Sequence, residues 1–378
     1  MYAILLIDYK VRTNLYPPRT ALIFMTLDNW PKHIQKYLFL LKDGFFQFPY
    51  LFNSPQIMLD SMLKLPITRH FPEKRLITFN TSLCKAKMYY REMDQGFWLL
   101  TFYLNMKENI MALSGYDKKQ SSEYYLLTFS IFEYKFPLKD GSALNLLSTC
   151  WTISKPNTEI SSYFYKQANG KFFSIAIHKD WAKKNLTSKK FKQRKTILNF
   201  LNGKRGSYTW LDISQKAHEV GAELSDLLEK ENNSEADNIA IKKKSMKLVT
   251  EFFDNCFIDT RIEDNISLTN LDYLNVSRAE KIILQNLHLP FIGIEYIAKE
   301  VNMSTTKLKA NFKAVFGFSM LQYHKEKNMM LAEQLVKKSD FSIQEIAVVA
   351  GYDSAGRFAS SFKKRFGKLP SEARFQVI

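Results

Sequence analysis

Two stretches, IAKEVNMSTTKLKANFKAVFG at residues 297–317 and IAVVAGYDSAGRFASSFKKRFG at residues 346–367, are variants of one pattern, and that pattern decides the fold of the C-terminal quarter. Ile297-Ala298 answers to Ile346-Ala347, Leu308 to Phe358, Phe312 to Phe362, and Phe316-Gly317 to Phe366-Gly367. Ile297 to Ile346 is a shift of 49 and Leu308 to Phe358 a shift of 50, so the second copy has one extra residue in its turn. Each copy predicts a short amphipathic helix ending where Asn302 or Gly351 takes a positive φ, which these two residue types adopt at least cost. Ser304 in the first copy, and Asp353 or Ser354 in the second, can then cap a new helix. That helix buries residues four apart, Leu308-Phe312-Phe316 or Phe358-Phe362-Phe366. Its outer side is left to Lys307, Lys309 and Lys313, or to Arg357, Lys363, Lys364 and Arg365. Both second helices stop at Phe-Gly. The reading is two helix-turn-helix motifs, at about 292–317 and about 342–367, each with a basic second helix shaped to enter a major groove.

Between the copies, 319–338 contains no Pro or Gly and spaces Leu321, Met329, Ala332, Leu335 and Val336 as a helix does. At about 1.5 Å per residue it forms a rod of roughly 30 Å, close to one turn of B-DNA at roughly 34 Å. The two basic helices are thereby expected in successive major grooves on one face of a duplex.

Residues 277–378 resemble the DNA-binding domain of the AraC/XylS family of bacterial transcription regulators, a seven-helix unit with two helix-turn-helix motifs. The matching residues are Ile297-Ala298, Met303-Ser304, Leu308, Phe312, Phe316-Gly317, Tyr323, Ala332 and Leu335, then Ile346-Ala347, Gly351-Tyr352, Phe358, Phe362-Lys363-Lys364, Phe366-Gly367, and Pro370 with Arg374. The resemblance implies base-facing positions at Thr305, Thr306, Lys309 and Ala310 in the first motif. In the second they are Ala355, Gly356, Arg357, Ala359 and Ser360. Of these only Lys309 and Arg357 are long enough for the strong side-chain contacts to guanine. Lys307, Lys313, Lys363 and Lys364 are read as phosphate contacts, which set position and not sequence.

The composition agrees with this without proving it. The chain has 378 residues, with 54 Lys+Arg against 37 Asp+Glu, a formal charge of +17 that favours polyanions. Residues 277–378 hold 16 basic and 9 acidic residues, net +7, which leaves +10 for the remainder. From Lys179 to Arg205 run ten basic residues and one acid, Asp180: a solvated face, or an auxiliary phosphate-contacting patch. With 46% hydrophobic residues the chain can bury a sizeable core, and its length fits two or three domains.

Residues 1–205 read as mainly β. Strand character marks Phe97–Leu104, Leu127–Phe136, Ile160–Tyr165 and Phe172–Ile177, with helical insertions at Gln56–Leu63 and after Trp30. The change of phase between Ile131 and Phe132 predicts a bulge or bend. Residues 206–276 read as a helical linker, with Leu224, Leu227 and Leu228 at helical spacing, a polar break at 229–235, and a second helix from about Ile239. The fold class is therefore multidomain α+β: an N-terminal mainly β domain, a helical linker, and a C-terminal all-α domain. The resemblance adds that the β domain is a cupin-like sensor or dimerisation domain. Aromatic residues such as Phe102, Tyr103, Phe129 and Trp151 then line an apolar ligand pocket or simply form the core.

Other function classes find little support. The six histidines lack HxH or HxxxH spacing, Gly203-Lys204-Arg205-Gly206 is too short for a phosphate loop, and no GxSxG elbow occurs. No enzyme activity, cofactor or metal is expected. Cys84, Cys150 and Cys256 are isolated and odd in number, which argues against a disulfide framework. Ala3–Ile7 reads as a strand and not a signal peptide, and no run approaches the roughly 18 apolar residues of a membrane span. The address expected is cytoplasmic. The partners implied by the resemblance are double-stranded DNA, a small-molecule effector, a second copy of the chain and RNA polymerase. The alternative is an accessory or architectural DNA-binding protein whose N-terminal domain binds a protein and no ligand.

Overall fold

The computed structural model describes residues 7–9, 26–137, 143–186, 200–201, 206–211, 216–230, 234–255, 268, 270–287 and 289–375. The chain divides into two compact units. One is made of residues 3–132 and 148–274, and the other chiefly of residues 133–147 and 275–378.

The first unit is built on two sheets. The larger has eight strands. In chain order they are β4 (Thr68–Phe71), β5 (Leu76–Asn80), β6 (Cys84–Asp94), β7 (Phe97–Met106), β9 (Tyr124–Pro137), β10 (Ala143–Ser154), β12 (Asn169–His178) and β13 (Ser207–Leu211), arranged spatially β13-β10-β9-β12-β7-β6-β5-β4, with β9 counted in this unit up to Phe132 and β10 from Ser148. The smaller has five: β1 (Ile7–Tyr9), β2 (Leu41–Lys42), β3 (Phe45–Leu51), β8 (Ile110–Gly115) and β11 (Ile160–Phe164), in the order β1-β11-β8-β3-β2. Strands β3 and β8 pair in parallel, with Phe46 opposite Ile110. The strands expected at Phe97–Leu104, Ile160–Tyr165 and Phe172–Ile177 are β7, β11 and β12. In the β6–β7 turn, Gly96 has φ +84, and a Cβ there would lie 2.8 Å from Cβ of His178.

The change of phase between Ile131 and Phe132 falls inside the single strand β9. Residues 127–132 are all buried because both faces of β9 are covered. Phe129 packs on Trp151, which meets Phe252 on a helix, whereas Phe132 turns the other way onto Phe172 and through it Phe164 of the smaller sheet. An apolar residue on each face in succession gives the change of phase read in the sequence.

Helices close the unit. In α1 (Trp30–Tyr37) the indole Nε1–H of Trp30 donates to the Ser61 carbonyl at 2.7 Å. Helix α2 (Pro55–Leu63) is capped by Ser54, whose hydroxyl accepts from the Ile57 N–H at 3.2 Å. A short α3 (Lys179–Asn185) follows β12 and stacks Trp181 on Phe97. Residues expected to form a linker contribute β13, α4 (Lys216–Leu228) and α5 (Glu235–Asn255) to this same unit. Val220, Leu224, Leu248 and Phe252 are buried, and Gly221 sits so near the sheet that an added Cβ would lie 2.9 Å from the Phe173 ring.

The second unit contains α6 (Asn270–Gln285) from residue 275 onward, α7 (Ile294–Glu300), α8 (Thr305–Phe316), α9 (Met320–Lys338), α10 (Ile343–Val349), α11 (Ala355–Phe366) and α12 (Pro370–Phe375). No helix among the described residues is long and apolar enough to cross a membrane.

Candidate nucleic-acid interface

The turns form as local chemistry dictates. Asn302 has φ +53 and Gly351 φ +81. In the first copy the Met303 N–H reaches the Ala298 carbonyl at 2.9 Å and the Asn302 N–H the Lys299 carbonyl at 3.2 Å. In the second, Tyr352 reaches Ala347 at 2.8 Å and Gly351 reaches Val348 at 3.0 Å. These paired bonds are the Schellman closure of a helix end. Up to Met303 and Tyr352 the copies differ by 49, but the caps, Ser304 and Ser354, differ by 50. The extra residue is therefore Asp353.

Both second helices start and stop alike. The Ser304 hydroxyl accepts from Lys307 N–H at 3.3 Å and that of Ser354 from Arg357 N–H at 3.4 Å, while Gly317 and Gly367 end the helices at φ +74 and +78. Leu308, Phe312, Phe316, Phe358 and Phe362 are buried. Phe366, expected to complete the second stripe, is only half-buried, with the Arg365 guanidinium 5.0 Å from its ring centre.

The connecting helix α9 has 19 residues, about 28 Å at roughly 1.5 Å each, and it organises both motifs. Its Tyr323 packs against Phe312 and Phe316, with ring centres 5.3 and 4.9 Å apart, and donates its hydroxyl hydrogen bond to Glu280 of α6. Burial pushes the Glu280 carboxyl up to about 7, with the Tyr323 bond and nearby Lys327 opposing the rise. At the second motif, Glu326 of α9 takes Arg365 of α11 at 3.0 Å. Arg365, expected on the outer face, is thus turned inward onto the connecting helix, where it fixes the orientation of α11. Arg374 of α12 donates to the Val336 carbonyl at the end of α9 at 3.2 Å and to the Phe341 carbonyl at 2.5 Å. Neither Glu326 nor Glu280 is legible in the sequence as part of this framework. An isolated acid on a helix gives no sign of which basic or hydroxyl group will meet it.

The positions singled out for DNA gather on the outer arcs of α8 and α11. Thr306, Lys309 and Ala310 are exposed and Thr305 is half-buried; Gly356, Arg357 and Ser360 are exposed, with Ala355 and Ala359 half-buried. Lys307, Lys313, Lys363 and Lys364 are exposed. The shift of 50 makes Lys313 the counterpart of Lys363, Thr306 of Gly356, Lys309 of Ala359, and Lys307 of Arg357. The second arc accordingly has small residues along its centre, with Arg357 standing to one side. Arg357 lies 3.4 Å from the inserted Asp353, with both side chains largely in solvent (75% and 91% exposed). An exposed pair of this kind is worth little to stability and leaves a forked donor and a carboxylate acceptor side by side, the two chemistries that read guanine and cytosine edges.

The basic cluster at 179–205 is only partly placed. Lys179 pairs with Glu123, which His178 also meets at 3.1 Å, and Lys183 lies 3.8 Å from Asp180. Lys189, Lys190, Lys192, Arg194, Lys195, Lys204 and Arg205 lie outside the described residues, as does Cys256. Cys84 and Cys150 are in no disulfide, and burial pushes the Cys84 thiol up.

Residues 297–376 match a family model described as a helix-turn-helix domain. The virulence regulon transcriptional activator VirF of Yersinia enterocolitica is 34% identical over 101 residues, 27% of this chain and 37% of that protein. The HTH-type transcriptional regulator ExsA of Pseudomonas aeruginosa is 38% identical over 107 residues, 28% of this chain and 38% of that protein. The matched part of the chain thus spans little more than a third of the length of these curated relatives. A solved transcriptional regulator with an AraC-type DNA-binding domain, from Chromobacterium violaceum, is 27% identical, covering 28% of this chain and 92% of that one at a TM-score of 0.26.

Proposed function

We propose, for a chain whose C-terminal region is an AraC-type helix-turn-helix domain, that the whole protein is a sequence-specific, DNA-binding transcription regulator responding to a small molecule through its N-terminal unit. The observation that carries the first part is the pair of capped helices α8 and α11. Each has an apolar inner stripe and an outer arc of lysines and small or polar residues, and the two are joined by one continuous helix whose Tyr323 packs on Phe312 and Phe316 of α8 and whose Glu326 accepts from Arg365 of α11. Lys309 and Arg357, with Thr305, Thr306, Ala310, Ala355, Gly356, Ala359 and Ser360 around them, face base edges. Lys307, Lys313, Lys363 and Lys364 contact phosphates and supply most of the affinity. Base reading is uneven: α8 offers a lysine at the centre of its arc, whereas α11 offers Arg357 with its Asp353 neighbour and otherwise approaches the groove floor with small side chains.

The second part is supported by a cavity of about 140 Å³ between the two sheets of the N-terminal unit. No catalytic constellation enters this reading. The test is a selection from random duplexes with the full chain at moderate salt. A recurrent site with two half-sites about one helical turn apart is expected, and recovery of no sequence above background refutes sequence-specific binding.

A further inference from the structure

The cavity between the sheets offers roughly ten times the space that one ordered water needs. Its wall is hydrocarbon, aromatic ring and thioether, with Phe48 and Tyr50 from β3, Phe102 and Leu104 from β7, and Met58 and Met62 from α2 among its members. Phe48, Tyr50, Phe102 and Leu104 keep accessible surface although they stand between two sheets. What they face is open space, and side chains bordering a void forfeit contacts that a packed interior would give them.

Among its described residues the wall carries no usable charge. Lys87 is the single one of them with a formal charge, and it is exposed between the buried Ala86 and Met88, so strand alternation puts its ammonium on the outer face. No described Asp, Glu, Arg or His contributes. What the wall does carry is hydroxyl groups, the phenol of Tyr50 and the aliphatic hydroxyls of Thr128, Ser154, Ser162 and Ser174, the last four no more than 7% exposed. Thr128 and Ser174 bond each other at 2.9 Å. The Ser154 hydroxyl is buried with no hydrogen-bond partner among the described residues, an arrangement that costs free energy until a partner arrives.

We propose that this cavity binds an uncharged, mainly apolar molecule bearing one hydroxyl or carbonyl group, which bonds the Ser154 hydroxyl. The proposal rests on the reading of the N-terminal unit as a sensor and names its ligand class. A carboxylate or ammonium entering here would lose its water and meet no counter-charge, so ionised analogues of the same shape are rejected. The flexible thioethers of Met58, Met62, Met88 and Met106 let the wall fit chains or rings of differing outline.

Titration of the full chain with 1-decanol, decanoate and decylammonium by calorimetry at neutral pH tests the class directly. Decanol is expected to bind at least about tenfold more tightly than either ion. Ser154→Ala, a deletion of one oxygen, should weaken decanol about fivefold, the worth of one hydrogen bond. Ala112→Phe, which fills part of the cavity from β8, should abolish binding. Decanoate or decylammonium matching decanol, or no detectable binding of decanol, overturns the proposal. The wild-type comparison stands even where a variant folds poorly. DNA affinity is measured in the same preparations: site-selective binding with decanoate preferred refutes the ligand class alone, whereas decanol binding without any selected duplex refutes the regulator reading alone.

Discussion

Replacing Lys309 and Lys363 one at a time separates the two roles assigned to the outer arcs. Both side chains are exposed, so neither Lys309→Ala nor Lys363→Ala should change stability by more than about 0.5 kcal/mol. With four phosphate contacts, from Lys307, Lys313, Lys363 and Lys364, the salt slope is about −0.9 × 4, or roughly −3.6. Raising salt from about 50 to about 200 mM then weakens binding about 150-fold. Lys363→Ala leaves three contacts and a slope of roughly −2.7, so the same step costs only about 40-fold. This change should be equal on the selected duplex and on a shuffled one. Lys309→Ala removes a base-edge contact and should cost about 1–3 kcal/mol, roughly 5- to 150-fold, on the selected duplex, with a far smaller loss on the shuffled one. Fluorescence anisotropy with both duplexes across the salt range measures all four quantities. Equal losses on both duplexes for both variants would refute the division of roles. A Lys363 variant with an unchanged slope would refute its phosphate contact.

Three further outcomes follow from the packing. Glu280 binds its proton more tightly in the folded chain (about 7) than a free carboxyl does. Its contribution to stability is therefore full below about pH 4.5 and lost as pH rises through about 7. Glu280→Gln keeps an acceptor for Tyr323 and should narrow the drop in Tm between pH 5.5 and pH 8, whereas parallel wild-type and variant profiles would sink this account. Gly221→Val drives a side chain into the Phe173 ring and should cost about 1–3 kcal/mol or more by overpacking, read as a fall in the urea midpoint; a neutral result would mean α4 is not seated on the sheet. Arg374→Met removes the donors to the Val336 and Phe341 carbonyls and should destabilise the helix-turn-helix unit by roughly 2 kcal/mol, seen as faster amide exchange at the end of α9 and in the loop before α10.

The parts of the interface that were legible in sequence are those whose causes lie within a few residues. Asn302 and Gly351 were assigned positive φ because few residue types tolerate it. Ser304 is legible as a cap because a hydroxyl there meets the third amide ahead, and for the second helix the sequence narrows the cap to Asp353 or Ser354, of which the structure has Ser354. Arg365 was misplaced on the outer face for a complementary reason: at the edge of the basic arc, its direction is set by Glu326, 39 residues away. Ile131 and Phe132 show a related limit, since alternation in one strand cannot say that both of its faces are covered. The helices at 216–255 showed their apolar spacing but not the sheet that receives it.

By itself, the sequence determined two helix-turn-helix motifs, their caps, their stops and the helix between them. Hydrogen bonds and apolar contacts at separations of three to five residues are specified by local order alone. Only the tertiary structure decided which strands pair, including parallel β3 and β8, and that α4 and α5 belong with the sheets. It also decided that Glu326 and Arg374 hold the second motif to the connecting helix, and that four aliphatic hydroxyl groups from four separate strands meet in one cavity to which no described Asp, Glu, Arg or His contributes. Each of these joins residues from tens of positions to about a hundred apart, and their meeting follows from how the whole chain closes on itself.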